Sequence, residues 1–183
     1  ALYQPGLGYY SAGARKFGAA GDFVTAPEMT AFFGRALARQ VAQVIAASTP
    51  HVIEVGAGSG RLAADLLLEL ERLGALPKRY DILDLSADLR ERQHATLVAA
   101  APHLLERVRW VDRLPEEFSG ALIANELLDA MPAHIVAWRE DGIFERCVGF
   151  DPVAGFTWNE RPATGTLLAA AEDIGRQCSL PPG

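Results

Sequence analysis

Residues 51–60 read His-Val-Ile-Glu-Val-Gly-Ala-Gly-Ser-Gly, and the fold is read outward from them. Val52, Ile53 and Val55 form the short apolar run of a strand buried on both faces of a parallel sheet. Gly56, Gly58 and Gly60 follow at alternate positions, and Leu62, Ala63, Leu66, Leu67 and Leu70 then recur at helical spacing. Strand, glycine turn and helix in that order open an α/β fold of the nucleotide-binding type. Glycines there allow unusual dihedrals and close approach of a ligand to the main chain. The free N–H groups at the helix start favour a negatively charged ligand group.

The helix after the turn is expected to run to about Leu73 and to close at Gly74 and Pro77. Tyr80-Asp81-Ile82-Leu83-Asp84-Leu85 reads as the next strand, Ser86 as the cap of a helix from Ala87 to about Ala101, and Pro102 as its stop. Val108 to Val111 and Gly120 to Ala124 supply a third and a fourth strand. Strands alternating with helices imply parallel pairing through right-handed crossovers. Upstream, the first thirty residues are rich in glycine and aromatics and read as irregular. Thr25-Ala26-Pro27-Glu28 then introduces one helix, with Thr25 as N-cap and an apolar stripe of Phe32, Phe33, Leu37, Val41, Val44 and Ile45. From His134 the pattern changes. Residues 134–139 and 143–150 flank Asp141-Gly142, a hairpin signal, Phe156-Thr157-Trp158 adds a third antiparallel strand, and Leu167 to Ile174 forms a short helix.

At 183 residues, half of them hydrophobic, the chain is expected to form one domain. Its parts would be an N-terminal loop and helix at 1–50, a cofactor-binding α/β core at 51–133 and an antiparallel insertion at 134–160. A net charge of −6 without a basic run argues against sequence-independent nucleic-acid binding. Cys147, Cys178 and the four scattered histidines have no metal-ligand spacing. Asp65 and Glu69 interrupt even the leucine-rich helix, so no membrane insertion is expected. The start resembles no signal peptide, and a soluble protein of a reducing compartment is the simplest expectation.

The dinucleotide fingerprint requires glycine where this chain has Arg61. The pattern is instead Glu54-x-Gly56-x-Gly58-x-Gly60. Asp84 falls near the end of the second strand, where a carboxylate can accept hydrogen bonds from both ribose hydroxyls. A solvated strand-end aspartate or a helix cap are the alternatives for it.

The glycine pattern resembles motif I of class I S-adenosylmethionine-dependent methyltransferases. On four stretches, the turn among them, the chain resembles the MidA family, whose mitochondrial members are complex I assembly-factor protein-arginine methyltransferases. Those stretches are Gly8-Tyr9-Tyr10-Ser11, Gly21-Asp22-Phe23-Val24-Thr25-Ala26-Pro27-Glu28, the turn Glu54 to Gly60, and Asn125-Glu126-Leu127-Leu128-Asp129-Ala130-Met131-Pro132. Ala57 and Ser59 stand where the family often has proline and arginine, and Asp84 where it often has glutamate. The resemblance implies a Rossmann-like methyltransferase sheet with helices on both faces and an antiparallel hairpin insertion. It also implies C-terminal strands missing from these residues, which would leave an open sheet edge prone to association.

The implied cofactor is S-adenosyl-L-methionine. Glu54, Gly56, Ala57, Gly58 and Gly60 would meet its methionyl part, Asp84 its ribose, and Asp112-Arg113-Leu114 its adenine. Thr25, Pro27 and Glu28 would fold over it from the N-terminal side, or simply begin a helix. Asn125, Glu126 and Asp129 follow the fourth strand and are the candidate catalytic residues, the two carboxylates binding and orienting a cationic arginine. Glu126 and Asp129 would share a helical face if a helix starts there, or would merely sit in its first turn with Asn125 as cap. The implied partner is a protein substrate, a respiratory complex I subunit by the resemblance. The implied compartment is the cytoplasm of a bacterium or the mitochondrial matrix of a eukaryote. The competing readings are a nicotinamide oxidoreductase and a non-catalytic assembly module that retains a nucleotide-like pocket.

Overall fold

The glycine turn lies between a buried strand and a helix, as the spacing of its neighbours requires. The computed structural model describes Leu2, Gln4 and residues 6–9 and 24–178. Tyr10, Ser11, Gly21, Asp22 and Phe23 of the N-terminal stretches lie outside the described residues, as does the chain end from 179. In chain order the first elements are α1 (Ala26–Met29), α2 (Ala31–Ala47), β1 (His51–Val55), α3 (Arg61–Arg72), β2 (Arg79–Leu83), α4 (Ala87–Ala100), β3 (Val108–Val111) and β4 (Ala121–Ile123). They belong to a compact unit, residues 1–130. β5 (Ile135–Arg139), β6 (Gly142–Asp151), β7 (Gly155–Pro162) and α5 (Gly165–Cys178) belong to a second, 131–183.

In the first unit all four strands pair in parallel, in the order β3-β2-β1-β4. Register fixes the faces: Val52 lies opposite Tyr80 and Ala121, and Glu54 opposite Ile82 and Ile123. These residues share one face. Against it pack α2 through Ala38, Val41 and Ile45, α3 through Leu62, Ala63, Leu66, Leu67 and Leu70, and α4 through Leu97. Two successive right-handed crossovers in the same direction, β1 to β2 and β2 to β3, put α3 and α4 on the same side. The other face presents buried Ile53 and Asp81 and half-exposed Leu122. The return from β3 to β4 through residues 112–120 is not helical.

The N-terminal helix differs from its expected form. Thr30 takes an extended conformation and its hydroxyl accepts from the Phe32 N–H at 3.2 Å, so it caps a second helix and splits the predicted one. Thr25 occupies the cap position of α1 without a side-chain bond. Phe32 and Val44 of the expected stripe are exposed, and the buried line is Gly34, Ala38, Val41 and Ile45. Ser86 caps α4 through the Leu89 N–H as expected, although at a long 3.4 Å.

The second unit is an antiparallel meander, β5-β6-β7. Its first turn is Glu140-Asp141, one residue earlier than expected, because Gly142 pairs with Arg139 and opens β6. At the next turn Asp151 accepts from the Val153 and Ala154 N–H groups, both at 2.8 Å. α5 packs on the Trp138 face, where the indole donates to the Ala171 carbonyl.

Truncating Leu67, fully buried on α3, to Ala should cost about 2–5 kcal/mol in denaturant titration. Leu122→Ala, at a half-exposed position, should cost less than about 1 kcal/mol. Equal costs would mean that the core lies on the wrong side of the sheet.

Candidate functional site

Because the four strands are parallel, their carboxyl ends meet at one edge of the sheet. β1 is followed by a strand on one side while β4 pairs on its other side, which makes the β1–β4 crevice a topological switch point. The glycine turn leaves β1 there and residues 124–130 leave β4. The two segments touch: a Cβ on Gly56 would stand 3.0 Å from the Leu127 Cδ1.

Helix α4 determines the shape of the turn. Gly60 begins α3 at φ 83°, and a Cβ there would come within 2.8 Å of the Gln93 Cα. Only glycine satisfies both the dihedral and the contact. From the same helix the Gln93 side chain donates to the Gly58 carbonyl at 3.2 Å and Thr96 to the Ser59 carbonyl at 2.7 Å. In a trans peptide the N–H points opposite to the C=O, so the Ser59 N–H faces away from α4. Among the described residues the N–H groups of Ala57, Gly58 and Ser59 have no partner. A Cβ on Gly58, at φ 54°, would meet no atom of the described residues within 4 Å, so among them the turn opens on that side.

Two acids stand behind the turn. Glu54 is buried and accepts from the Tyr80 hydroxyl at 2.6 Å. Burial raises its carboxyl from 4.5 to about 7, the Tyr80 bond works against that shift, and the nearby Asp84 charge adds to it. Asp84, 8% exposed, accepts from Ser86 N–H at 3.0 Å with one oxygen and from Gln93 Nε2 at 2.7 Å with the other. Desolvation raises its pKa, opposed by those bonds and by Arg90. The bond to Ser86 closes a local turn just before α4, whose cap is Ser86 and not Asp84, and each Asp84 carboxylate oxygen still has a lone pair to offer.

The other sequence candidates are spread over several segments. Glu28 on α1 accepts from the Ser59 hydroxyl, which ties α1 to the turn, and Pro27 is buried beside it. Thr25 is half-buried without a side-chain bond in its cap. Ala57 is buried. Asp112 is exposed and holds Arg90 at 2.7 Å. Arg90 also donates to the carbonyls of Asp84 and Val111, both at 2.8 Å, and so joins the ends of β2 and β3. Arg113 and Leu114 line a cleft of about 430 Å³ with Trp110, Val111, Asp112 and Arg79. Asn125 is half-buried, while Glu126 and Asp129 are exposed. The helix expected to carry them is only a 3-10 turn, Leu128–Ala130, and Glu126 sits at φ 51°. Their three-residue spacing therefore does not place the carboxylates on a helical face.

Sequence reasoning missed Gln93, Thr96, Arg90 and Tyr80. A spacing of three along α4 links the first three, and that polar period was the available signal.

A family described as "Putative S-adenosyl-L-methionine-dependent methyltransferase" matches residues 36–182. The early stretches, up to Glu28, precede that match. Protein arginine methyltransferase NDUFAF7, mitochondrial, of Bos taurus is 31% identical over 178 residues, covering 82% of this chain and 40% of that protein. The Mus musculus protein of the same name is 32% identical, over 84% of this chain and 41% of its own length. The chain thus spans about two fifths of these relatives. A crystal structure of a methyltransferase candidate from Burkholderia thailandensis, bound to S-adenosyl-homocysteine, superposes with a TM-score of 0.83 at 50% identity, over 94% of this chain and 46% of that one. An uncharacterized protein of the same superfamily and organism gives a TM-score of 0.80 at 47% identity, over 98% and 44%.

Raising the Glu54 pKa above its unfolded value favours the neutral form in the fold. That stability is complete below about 4.5 and is lost as pH rises through about 7, roughly 3 kcal/mol in total. Glu54→Gln mimics the neutral form. Thermal unfolding between pH 5 and 8 should show wild type losing stability with rising pH while the variant loses less. Parallel curves would mean that Glu54 is already charged at pH 5.

Proposed function

The chain belongs to this family of S-adenosyl-L-methionine-dependent methyltransferases, and on that premise we propose that its glycine turn binds S-adenosyl-L-methionine for methyl transfer to a protein side chain. The observation that carries this reading is the turn itself, with three N–H groups unpartnered and a side at Gly58 open among the described residues, and two acids behind it. These groups fit the ligand. N–H groups at a helix start suit its carboxylate, Glu54 suits its ammonium, and Asp84 suits its ribose diol. The likeness to a protein bound to S-adenosyl-homocysteine supports the same assignment.

When bound, the cofactor supplies a methyl group on a sulfonium that leaves as a neutral thioether. The protein's part in such a displacement is chiefly to align the acceptor with the methyl and to exclude other nucleophiles. Asn125, Glu126 and Asp129 follow the carboxyl end of β4, in the segment whose Leu127 lies against Gly56, and we assign them to the acceptor side. The arginine methyltransferase names of the relatives favour a guanidinium acceptor. Exposed carboxylates would bind that cation and hold its charge away from the attacking nitrogen. The cleft at Asp112, Arg113 and Leu114 is the assigned adenine side, and Thr25, Pro27 and Glu28 the assigned cover. A respiratory complex I subunit is the acceptor that the MidA resemblance suggests. Mass spectrometry of those subunits with and without the gene tests it. The compartment follows the source, bacterial cytoplasm or mitochondrial matrix.

Calorimetry with S-adenosylhomocysteine should detect binding in wild type. Asp84→Ala should weaken it by about 1.5–3 kcal/mol, a loss of roughly 10- to 150-fold. Normal affinity in that variant would remove Asp84 from the site. Glu126→Gln should lower methyl transfer to an arginine peptide and leave S-adenosylhomocysteine affinity within about twofold. Parallel loss of both would indicate a collapsed pocket instead, and binding without any transfer in wild type would favour a non-catalytic module.

A further inference from the structure

Gln93 is fully buried in the middle of α4, at a position where a leucine would fill the same volume. A glutamine there costs free energy unless its amide is satisfied. Its amide has two N–H donors and one acceptor oxygen. One N–H reaches the Gly58 carbonyl at 3.2 Å and the other the Asp84 Oδ2 at 2.7 Å. The oxygen accepts from the Trp110 indole at 2.9 Å. The reverse orientation would set oxygen against a carbonyl and a carboxylate, so the partners dictate which way the amide faces. All three belong to different segments of the carboxyl edge: the turn after β1, the end of β2 and the end of β3. No other described side chain joins all three.

We propose that Gln93 is the positioning residue of the site, its amide holding the Asp84 carboxylate and the Gly58 carbonyl in the relation that a ribose diol requires. The inference rests on the S-adenosyl ligand assigned above. Asp84 then has both oxygens fixed, Oδ1 by the Ser86 N–H and Oδ2 by Gln93. The lone pairs left over are aimed before any ligand arrives, and such preorganisation strengthens binding by sparing the cost of ordering. Trp110, which lines the cleft with Asp112, is held by the same amide, so on the adenine assignment above the ribose and base sides share one anchor.

A purely structural glutamine predicts loss of stability and an indiscriminate loss of affinity. A positioning glutamine predicts loss of selectivity for the ribose hydroxyl. The test measures, for wild type and variants, the affinity of S-adenosylhomocysteine relative to its 2′-deoxy analogue, with thermal unfolding alongside. Wild type should prefer the ribo ligand by roughly tenfold or more, the value of hydrogen bonds to a charged group. Gln93→Met keeps the volume and removes the donors, and should bring that ratio to within about threefold of unity. Thr96→Val removes a neighbouring bond from α4 to the turn without touching Asp84, and should leave the ratio unchanged whatever it does to affinity. Should Gln93→Met fail to fold, Gln93→Asn, one methylene shorter, provides the same reading. A wild-type ratio preserved in either folded Gln93 variant overturns the proposal, as does an equal weakening of both ligands. Failure of the underlying assignment looks different: wild type would not bind S-adenosylhomocysteine at all, or would bind both ligands alike, and the proposal falls with it.

Discussion

The geometry of the carboxyl edge depends on how closely α4 approaches the glycine turn. With Gly60 lacking a Cβ, the backbone of α4 at Gln93 comes within contact distance of the start of α3. Any larger residue would push the helices apart by more than side-chain adjustment can absorb, since the obstructing atoms are main chain. From that distance, short side chains on α4 reach the turn directly. Thr96 reaches the Ser59 carbonyl with a hydroxyl and Gln93 reaches the Gly58 carbonyl with an amide. Satisfying carbonyls on the helix side leaves N–H groups on the other. The anion-seeking character of the turn therefore follows from a packing constraint as much as from the glycines.

The same approach explains why α4 has little apolar surface. Its inward positions are Gln93 and Leu97, with Arg90 one turn earlier bonding the ends of β2 and β3. A helix used to hold polar backbone in place must carry polar groups inward, and each must be paired. Three different partners pair the Gln93 amide, so the arrangement is cooperative: moving Asp84, Gly58 or Trp110 disturbs the other two.

That polarity also sets the limit of what the sequence discloses. β1, β2, β3 and β4, their parallel pairing, α3 and the ends of α4 are legible because burial on both strand faces and a leucine stripe leave strong apolar patterns. The inward face of α4 leaves none, and Gln93 in Arg-Glu-Arg-Gln-His reads as one more solvated residue. Thr30 was hidden for a different reason. Hydroxyl capping two residues on is a local choice that competes with helix continuation, and the stripe through Phe32 masked it. At Glu126 and Asp129 the spacing of three suggested a helix, but Glu126 adopts a left-handed dihedral and the chain makes only a 3-10 turn. The acids behind the turn were legible as residues, Glu54 and Asp84, while the Tyr80 and Gln93 bonds that hold them are long-range and were not.

Those acids also bear on ligand class. Neither carboxylate is in a salt bridge among the described residues, and burial raises both pKa values. A pyrophosphate seated on the turn would add like charge to that environment. At an effective dielectric of about 20, two like charges roughly 6–8 Å apart cost about 2–3 kcal/mol. The residue at the third-glycine position points the same way. Arg61 pairs with Asp65 at 3.0 Å along the helix surface instead of opening space for a dinucleotide. A ligand bearing an ammonium and a sulfonium reverses the sign of the electrostatics. Its positive charge favours ionised Glu54, lowers a carboxyl that burial holds near 7, and turns a cost of folding into a contribution to binding. On the ligand proposed above, the cationic end would relieve Glu54 and the ribose diol would meet Asp84.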